Sequence, residues 1–320
     1  MTQPYPSASA DGAQVAHLAP PAVAMDSGAG PHAQYLLDTF GEHLVGLIQY
    51  GSTVFGETRT GSVHDFWLVV MDAARFHTSP AMRAVHRANH DDSIHEHIAL
   101  NAWGPNFYAI EHRGLRMKVA VIALDTFVRL CQAPIYVVKG RMQKPLRILR
   151  TCPAIEAGIL AARRDGVAEA INLLPREFTF EEFLHTVVGL SYQAEIRPEF
   201  KRKKIASIVA TGRDHLEAIY RPLLVERPEI ELVGNIYRDR RSEAQKQRAR
   251  RHTCQHIRRT KWSRASLRII WKNYRTHADP LHYMYLKVRG EFEKLLRRTN
   301  GPPRAHLHED AEVNPLRRNV

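Results

Sequence analysis

Tyr50, Gly51 and Ser52 are followed, after twelve intervening residues, by Asp65 inside the apolar run HDFWLVV. Each residue type has a use in that order. Glycine lets a backbone approach a phosphate closely, and serine adds a hydroxyl and an N–H where a helix can begin. An acid on an adjoining strand can hold a divalent cation between phosphates. The chemistry this would serve is metal-assisted nucleotidyl transfer. A fuller version of the pattern has a second acid two residues after the first, and here that position is Trp67. A Gly-Ser turn before a strand is common, so this spacing identifies nothing alone.

The elements that must carry these residues are legible in outline. Leu44 to Tyr50 reads as a buried strand ending at the Gly-Ser turn, with a short helix starting at Ser52 and a second strand over His64 to Val70. Arg75 to His97 is polar, His-rich and helical in parts, and Val119 to Leu124 is a third buried strand. From Ile155 onward helical periodicity dominates: Thr179 and Glu182 form a capping box before Phe183, Val187 and Leu190, and Lys201 to Leu216 is another helix. The expected class is α+β, a nucleotidyltransferase-like mixed sheet with helices, then a helical second domain and basic C-terminal helices. The expected divisions are a disordered leader over 1–33, a catalytic domain over 34–150 and a helical domain over 151–235. A basic amphipathic region over 236–300 and a disordered tail over 301–320 follow, with the main boundary near Pro145 to Pro153.

Composition bounds the function. The chain has 320 residues, 44% of them hydrophobic, enough for a sizeable core. Its longest apolar runs, Phe66 to Met71 and Val119 to Leu124, are far short of the ~20 residues that span a bilayer. Cys131, Cys152 and Cys254 are odd in number and widely separated, which argues for no disulfide partner and a reducing compartment. The leader has no Lys or Arg, unlike a secretory or transit signal, so a cytoplasmic location is expected.

The net charge of +13 is uneven. Residues 1–58 carry five acids and no Lys or Arg, whereas Arg238 to Arg275 holds fourteen Lys or Arg against Asp239 and Glu243. Such a local excess favours a polyanion, either an anionic lipid surface or nucleic acid. Leu267, Ile270, Trp271 and Tyr274 fall on one helical face within it, while Arg264, Arg268, Lys272 and Arg275 lie elsewhere, as suits membrane docking. No Phe, Trp or Tyr is interleaved between Arg238 and Arg259, which disfavours nucleic acid as the partner.

Five blocks in order extend the reading: YGSTVFGET from Tyr50, HDFWLVVMDAARFH from His64, MKVAVI from Met117, IYVVKGRMQKPLRIL from Ile135, and FTFEEFLHTVVGLSYQAEIRPEFKRKKIASIV from Phe178. Together they resemble the mitochondrial translocator assembly and maintenance family, the peripheral type of phosphatidate cytidylyltransferase. The resemblance runs from about Tyr35 to Leu224 and more loosely to Arg298. It implies that a phosphate oxygen of phosphatidic acid attacks the α-phosphorus of CTP with Mg²⁺ as cofactor, giving CDP-diacylglycerol and pyrophosphate. Gly51 and Ser52 match the family's phosphate-cradling pair, and Asp65 its metal-binding acid. The family also lacks an acid at the position of Trp67, so the second metal ligand is open between Asp72 and Asp125. Lys118 matches a family lysine and is assigned to the nucleotide phosphates. Arg141 and Lys144 are assigned to pyrophosphate or the lipid phosphate, with a solvated turn as the alternative. Tyr192, Glu195 and Arg197 stand in the SYQAEIR block, where Glu195 replaces the family's usual Asp as ligand or base. Lys201, Arg202, Lys203 and Lys204 follow as cations for the lipid phosphate or as a basic helix face.

His86, His90, His95 and His97, with Asp91 and Asp92, lack the spacing of a zinc site, and a polar loop near the nucleotide is expected instead. Two other readings stay open: a nucleotidyltransferase with an RNA acceptor, and a non-catalytic basic module that binds lipid or nucleic acid.

Overall fold

Six of the seven residues of β1 (Leu44–Tyr50) and five of the seven of β2 (His64–Val70) are buried, a pattern that requires strands covered on both faces. They pair antiparallel at the heart of a five-stranded mixed sheet in the computed structural model, which describes residues 30–51, 53–54, 63–89, 104–133, 136–193, 201–264 and 267–268. The strand order is β3-β4-β2-β1-β5, with β3 (Asn106–His112), β4 (Leu115–Ala123) and β5 (Leu146–Arg150). Only β2 and β4 run parallel, and Asp65 is in register with Lys118.

Alternation sorts the side chains onto two faces. Phe66, Leu68 and Val70 pack with Val119, Val121 and Tyr108 under α1 (Pro31–Phe40), α2 (Ala73–Thr78) and α3 (Pro80–Ala88). Trp67 and Val69 pack on the other side with Tyr50, Phe107, Ala120 and Ile122. That face is covered by α4 (Leu124–Gln132), α5 (Tyr136–Met142) and the first half of α6 (Pro153–Leu173). Each fully buried aliphatic or Phe side chain contributes about 1.5–3 kcal/mol.

The second half of α6 belongs to another core, with Val167, Ala170 and Ile171 against α7 (Phe180–Gln193), α8 (Lys201–Thr211) and α9 (Arg213–Val225). Thr179 and Glu182 form the expected reciprocal cap: the Glu182 N–H donates to Thr179 Oγ1 at 3.2 Å and the Thr179 N–H to Glu182 Oε2 at 2.7 Å. Helices are not the whole of this half. β6 (Glu177–Thr179), β7 (Ile230–Val233) and β8 (Ile236–Asp239) make an antiparallel sheet of order β6-β8-β7, which corrects the expectation of an all-helical second domain. These strands are three or four residues long, too short for alternation to show in the sequence. The expected helix over Lys201 to Leu216 is divided between α8 and α9 at Gly212.

The basic run enters α10 (Glu243–Lys261), capped reciprocally by Ser242 and Gln245. Arg248, Arg250, Arg251, Arg258 and Arg259 are exposed along it. Among the described residues no helix is long and apolar enough to cross a membrane, and the three cysteines form no disulfide. Burial pushes the Cys131 thiol up to about 12, so it is inert at neutral pH.

Candidate nucleotide-binding site

One end of the large sheet gathers the chemistry-bearing residues. β1 finishes there and β2 begins, with Tyr50 opposite Asp65. Gly51 follows with φ +93°, a conformation that favours glycine, and a Cβ added there would lie 2.8 Å from Asp65 Oδ2. The absent side chain is therefore what leaves the carboxylate against the β1 turn. Asp65 shares the sheet face of Trp67, and Lys118 that of Ala120 and Ile122, so the acid and the lysine lie side by side on the face covered by α5. Both are half-buried.

Arg141 reaches the same face from α5 and is only 8% exposed. Its Nη1 donates to Tyr50 Oη at 2.9 Å, and its guanidinium carbon lies 5.1 Å from the Tyr50 ring centroid, 5.8 Å from Trp67 and 5.9 Å from Phe107. Lys118 Nζ lies 5.7 Å from the same Phe107 ring. The other buried cations have acids. Lys139 contacts Asp165 at 3.1 Å and Glu169 at 3.0 Å, and Lys246 contacts Asp239 at 2.7 Å. Among the described residues Arg141 contacts no carboxylate. A desolvated guanidinium is costly without an anion, so this one is poised for an anionic ligand.

The turn carrying Arg141 and Lys144 is rigidly held. Gln143, 1% exposed, donates to the carbonyls of Lys139 and Ala162, and its Oε1 accepts from Tyr220 Oη at 2.9 Å. Arg163 Nε also donates to the Met142 carbonyl. Gly166 on α6 permits this seat, because a Cβ there would lie 2.2 Å from Gln143 Oε1 and 2.5 Å from its amide carbon. Gly166→Ala should therefore expel Gln143 and destabilise the fold by about 2 kcal/mol. Urea unfolding checks this, and an unchanged stability would mean that the turn yields to the added methyl at no cost.

Lys144, at the end of that turn, places Nζ 3.9 Å from the Tyr192 ring centroid, while exposed Lys204 of α8 approaches the same ring at 5.7 Å. Tyr192 is buried and acts as a platform for two ammonium groups from different elements. Arg202 and Lys203 are exposed on α8 beside Lys204, while the Lys201 side chain, Ser52, Glu195, Arg197, Ile270, Trp271 and Tyr274 lie outside the described residues. His90, Asp91, Asp92, His95 and His97 do too, and His86 is buried, 5.2 Å from the Tyr108 ring centroid. Leu267 is described and 44% exposed, with Trp262 at 60% before it.

Asp72 and Asp125 are not brought to this end. Val70 pairs with Ala123, so both acids follow the far ends of their strands, roughly 20 Å along the sheet from Asp65 and Lys118. Asp72 instead caps α2, accepting from the Arg75 N–H at 2.9 Å, and Asp125 Oδ1 accepts from the Thr126 N–H at 2.6 Å. Neither can share an ion with Asp65, which corrects both as candidate metal ligands. No group of three or more His, Cys, Asp or Glu side chains able to hold a metal occurs among the described residues. A single carboxylate beside an open backbone still suits Mg²⁺, which keeps waters and takes oxygens from substrate phosphates. The residues sequence reasoning passed over are Tyr50, Trp67 and Phe107 as the seat of Arg141; they stand at the end of β1, in the middle of β2 and near the start of β3, and only the sheet brings them onto one face.

The family model described as phosphatidate cytidylyltransferase, mitochondrial, matches residues 33–294. Relatives carrying the same description include a zebrafish (Danio rerio) protein, 26% identical over 203 residues, which cover 57% of this chain and 59% of that one. A Xenopus laevis protein is 25% identical over 63% of this chain and 64% of its own. A Drosophila melanogaster protein is 28% identical over 51% and 52%. The chain thus spans between about half and just under two thirds of the length of these relatives.

Proposed function

From the premise that this chain belongs to the mitochondrial phosphatidate cytidylyltransferase family, we propose that it transfers a cytidylyl group from CTP to phosphatidic acid, releasing pyrophosphate and forming CDP-diacylglycerol. The observation that carries this reading is the convergence at one sheet end of Gly51, Asp65, Lys118 and Arg141, which contacts no carboxylate among the described residues. Mg²⁺ held by Asp65 would supply charge neutralisation on the triphosphate. The protein's own part is positional and electrostatic. The Gly51 turn lets the backbone close on phosphate oxygens, Lys118 and Arg141 offset the charge gathering on the leaving pyrophosphate, and no covalent nucleophile is needed.

Lys144 and Lys204, gathered on Tyr192, suit the phosphate monoester of the lipid acceptor, with Arg202 and Lys203 beside them. Glu195, Arg197, Ser52 and the Lys201 side chain are assigned to the same site from the family resemblance alone. The acceptor would be taken from a membrane surface. The exposed arginines of α10, with Trp262 and Leu267 beyond, support docking on anionic lipid by a basic helix and the apolar face continued by Ile270, Trp271 and Tyr274.

Pyrophosphate release with phosphatidic acid vesicles, comparing CTP with ATP, GTP and UTP, tests the reaction. CTP-selective, lipid-dependent release is expected, and its absence with every nucleotide would shift the reading to an RNA acceptor or a binding module. Docking is tested by flotation with anionic vesicles: binding should weaken with salt and after Leu267→Asp with Trp271→Asp. Binding that survives both would refute it. The location proposed with this reading is a bacterial cytoplasm, peripheral on the inner membrane.

A further inference from the structure

We propose that Arg141, seated on Trp67, Tyr50 and Phe107, takes the place of a second protein-held metal ion, with Trp67 and Tyr50 as its positioning residues. The inference rests on the nucleotidyl-transfer reading of this sheet end and deepens it. A strand with acids at both 65 and 67 would hold two cations against a triphosphate. Here the second position is a fully buried indole on the same sheet face as Asp65, and a guanidinium lies over it. A permanent cation thus stands where the tryptophan removes the means of holding a mobile one.

The geometry of the seat supports this. Three rings at 5.1, 5.8 and 5.9 Å supply attraction without neutralising the charge, as a carboxylate would. Tyr50 Oη, accepting from Nη1, fixes the plane of the guanidinium. Lys139, two residues earlier on α5, is tied to Asp165 and Glu169, so the fold neutralises one buried cation of this helix and leaves its neighbour for a ligand. The Trp67 Nε1–H is itself buried with no hydrogen-bond partner among the described residues, so the indole is placed there for its ring face and bulk. The ligand class is a di- or triphosphate, whose non-bridging oxygens match the planar fork of an arginine.

The test uses the full chain and inorganic tripolyphosphate, titrated by calorimetry in EDTA, so that no metal and no lipid enters. The wild type should bind. Arg141→Gln should weaken binding about 30-fold and Arg141→Lys less, because a charge-assisted bidentate pair is lost. Trp67→Leu should weaken it about tenfold through the lost cation–π seat, with Trp67→Phe recovering most of the loss. Tyr50→Phe, which keeps the ring, should cost about fivefold. If Trp67→Leu fails to fold, Trp67→Phe and Tyr50→Phe decide the matter. A second titration measures CTP binding against free Mg²⁺, where half-saturation should move to higher Mg²⁺ in Arg141→Gln, since the missing cation must come from solution. Wild-type tripolyphosphate affinity in Arg141→Gln, or an unmoved Mg²⁺ dependence, overturns the proposal. So does a loss confined to Arg141 with none in the Tyr50 and Trp67 variants. Arg141-dependent tripolyphosphate binding without CTP-selective turnover would instead leave this inference standing and remove the cytidylyltransferase reading.

Discussion

Asp65→Asn should reduce Mg²⁺-dependent pyrophosphate release by about a thousandfold, equivalent to about 4 kcal/mol of transition-state stabilisation. The substitution keeps the shape of the side chain and removes the charge that would hold the cation. Because Asp65 is half-buried at the start of β2 and its pairing with Tyr50 is made by backbone, the fold should survive. Thermal unfolding within about 0.5 kcal/mol of wild type would separate lost chemistry from lost structure. Asp72→Asn provides the contrast. Its carboxylate caps α2, so it should cost stability, about 1 kcal/mol, with little change in turnover. Retention of more than a tenth of wild-type turnover by Asp65→Asn would mean that another group holds the metal.

The distribution of what sequence could and could not say follows from the range of the forces involved. β2 was legible to its ends, His64 to Val70, because burial on both faces leaves a continuous apolar run. β3 and β5 were missed. NFYAIEH is half polar, and LRILR interleaves arginines with aliphatics, as strands do at a sheet's edges. The turn between β3 and β4 did carry a signal, since Arg113 and Gly114 both adopt positive φ, 48° and 80°, as a tight hairpin needs. β4 accordingly begins at Leu115, four residues before the stretch read as a strand.

At the site the legible part was local and the illegible part was long-range. The Gly51 and Asp65 spacing can be read along one hairpin, and the structure puts the two in contact distance. The pairing of Asp65 with Lys118 depends on a parallel register that no local pattern encodes. Asp72 and Asp125 attracted a metal reading because they are acids at strand ends, but a strand has two ends and only the register says which one holds the site. Arg141 and Lys144 read as a pair on one turn, yet their side chains go to different aromatic platforms, Tyr50 with Trp67 and Phe107 for one, Tyr192 for the other. The division matters chemically, because it sets the two cations on separate platforms at either end of one turn.

Asp239→Ala should destabilise the protein by about 3–5 kcal/mol, because it strands Lys246 in the core without its anion. Asp239 is fully buried at the end of β8. Lys246 Nζ donates to it at 2.7 Å, and Arg241 donates from Nη2 at 2.7 Å and from Nε at 3.0 Å. Arg241 continues to Asn172 Oδ1, and Asn172 Nδ2 donates to Thr253 Oγ1, so the network pins the start and middle of α10 to α6. Burial alone would raise the Asp239 carboxyl, but the hydrogen bonds from Arg241 and Lys246 outweigh it and hold the group at about 2, below its ordinary 3.8. A depressed folded value stabilises the native state above pH 3.8, and that contribution is lost as pH falls towards 2. The shift corresponds to roughly 2–3 kcal/mol, less than the cost of Asp239→Ala because protonation leaves the side chain and part of its hydrogen bonding in place. Urea unfolding at pH 7 and across pH 2–4 measures both quantities, and Asp239→Asn should flatten the acid limb. The same helix carries the exposed arginines proposed to face lipid, so Asp239→Ala should weaken vesicle binding by more than it weakens tripolyphosphate binding at Arg141. Equal losses at the two sites would mean that α6, which serves both cores, had failed as a whole. An unchanged vesicle affinity in a destabilised Asp239→Ala would show that α10 needs no anchoring to meet the membrane.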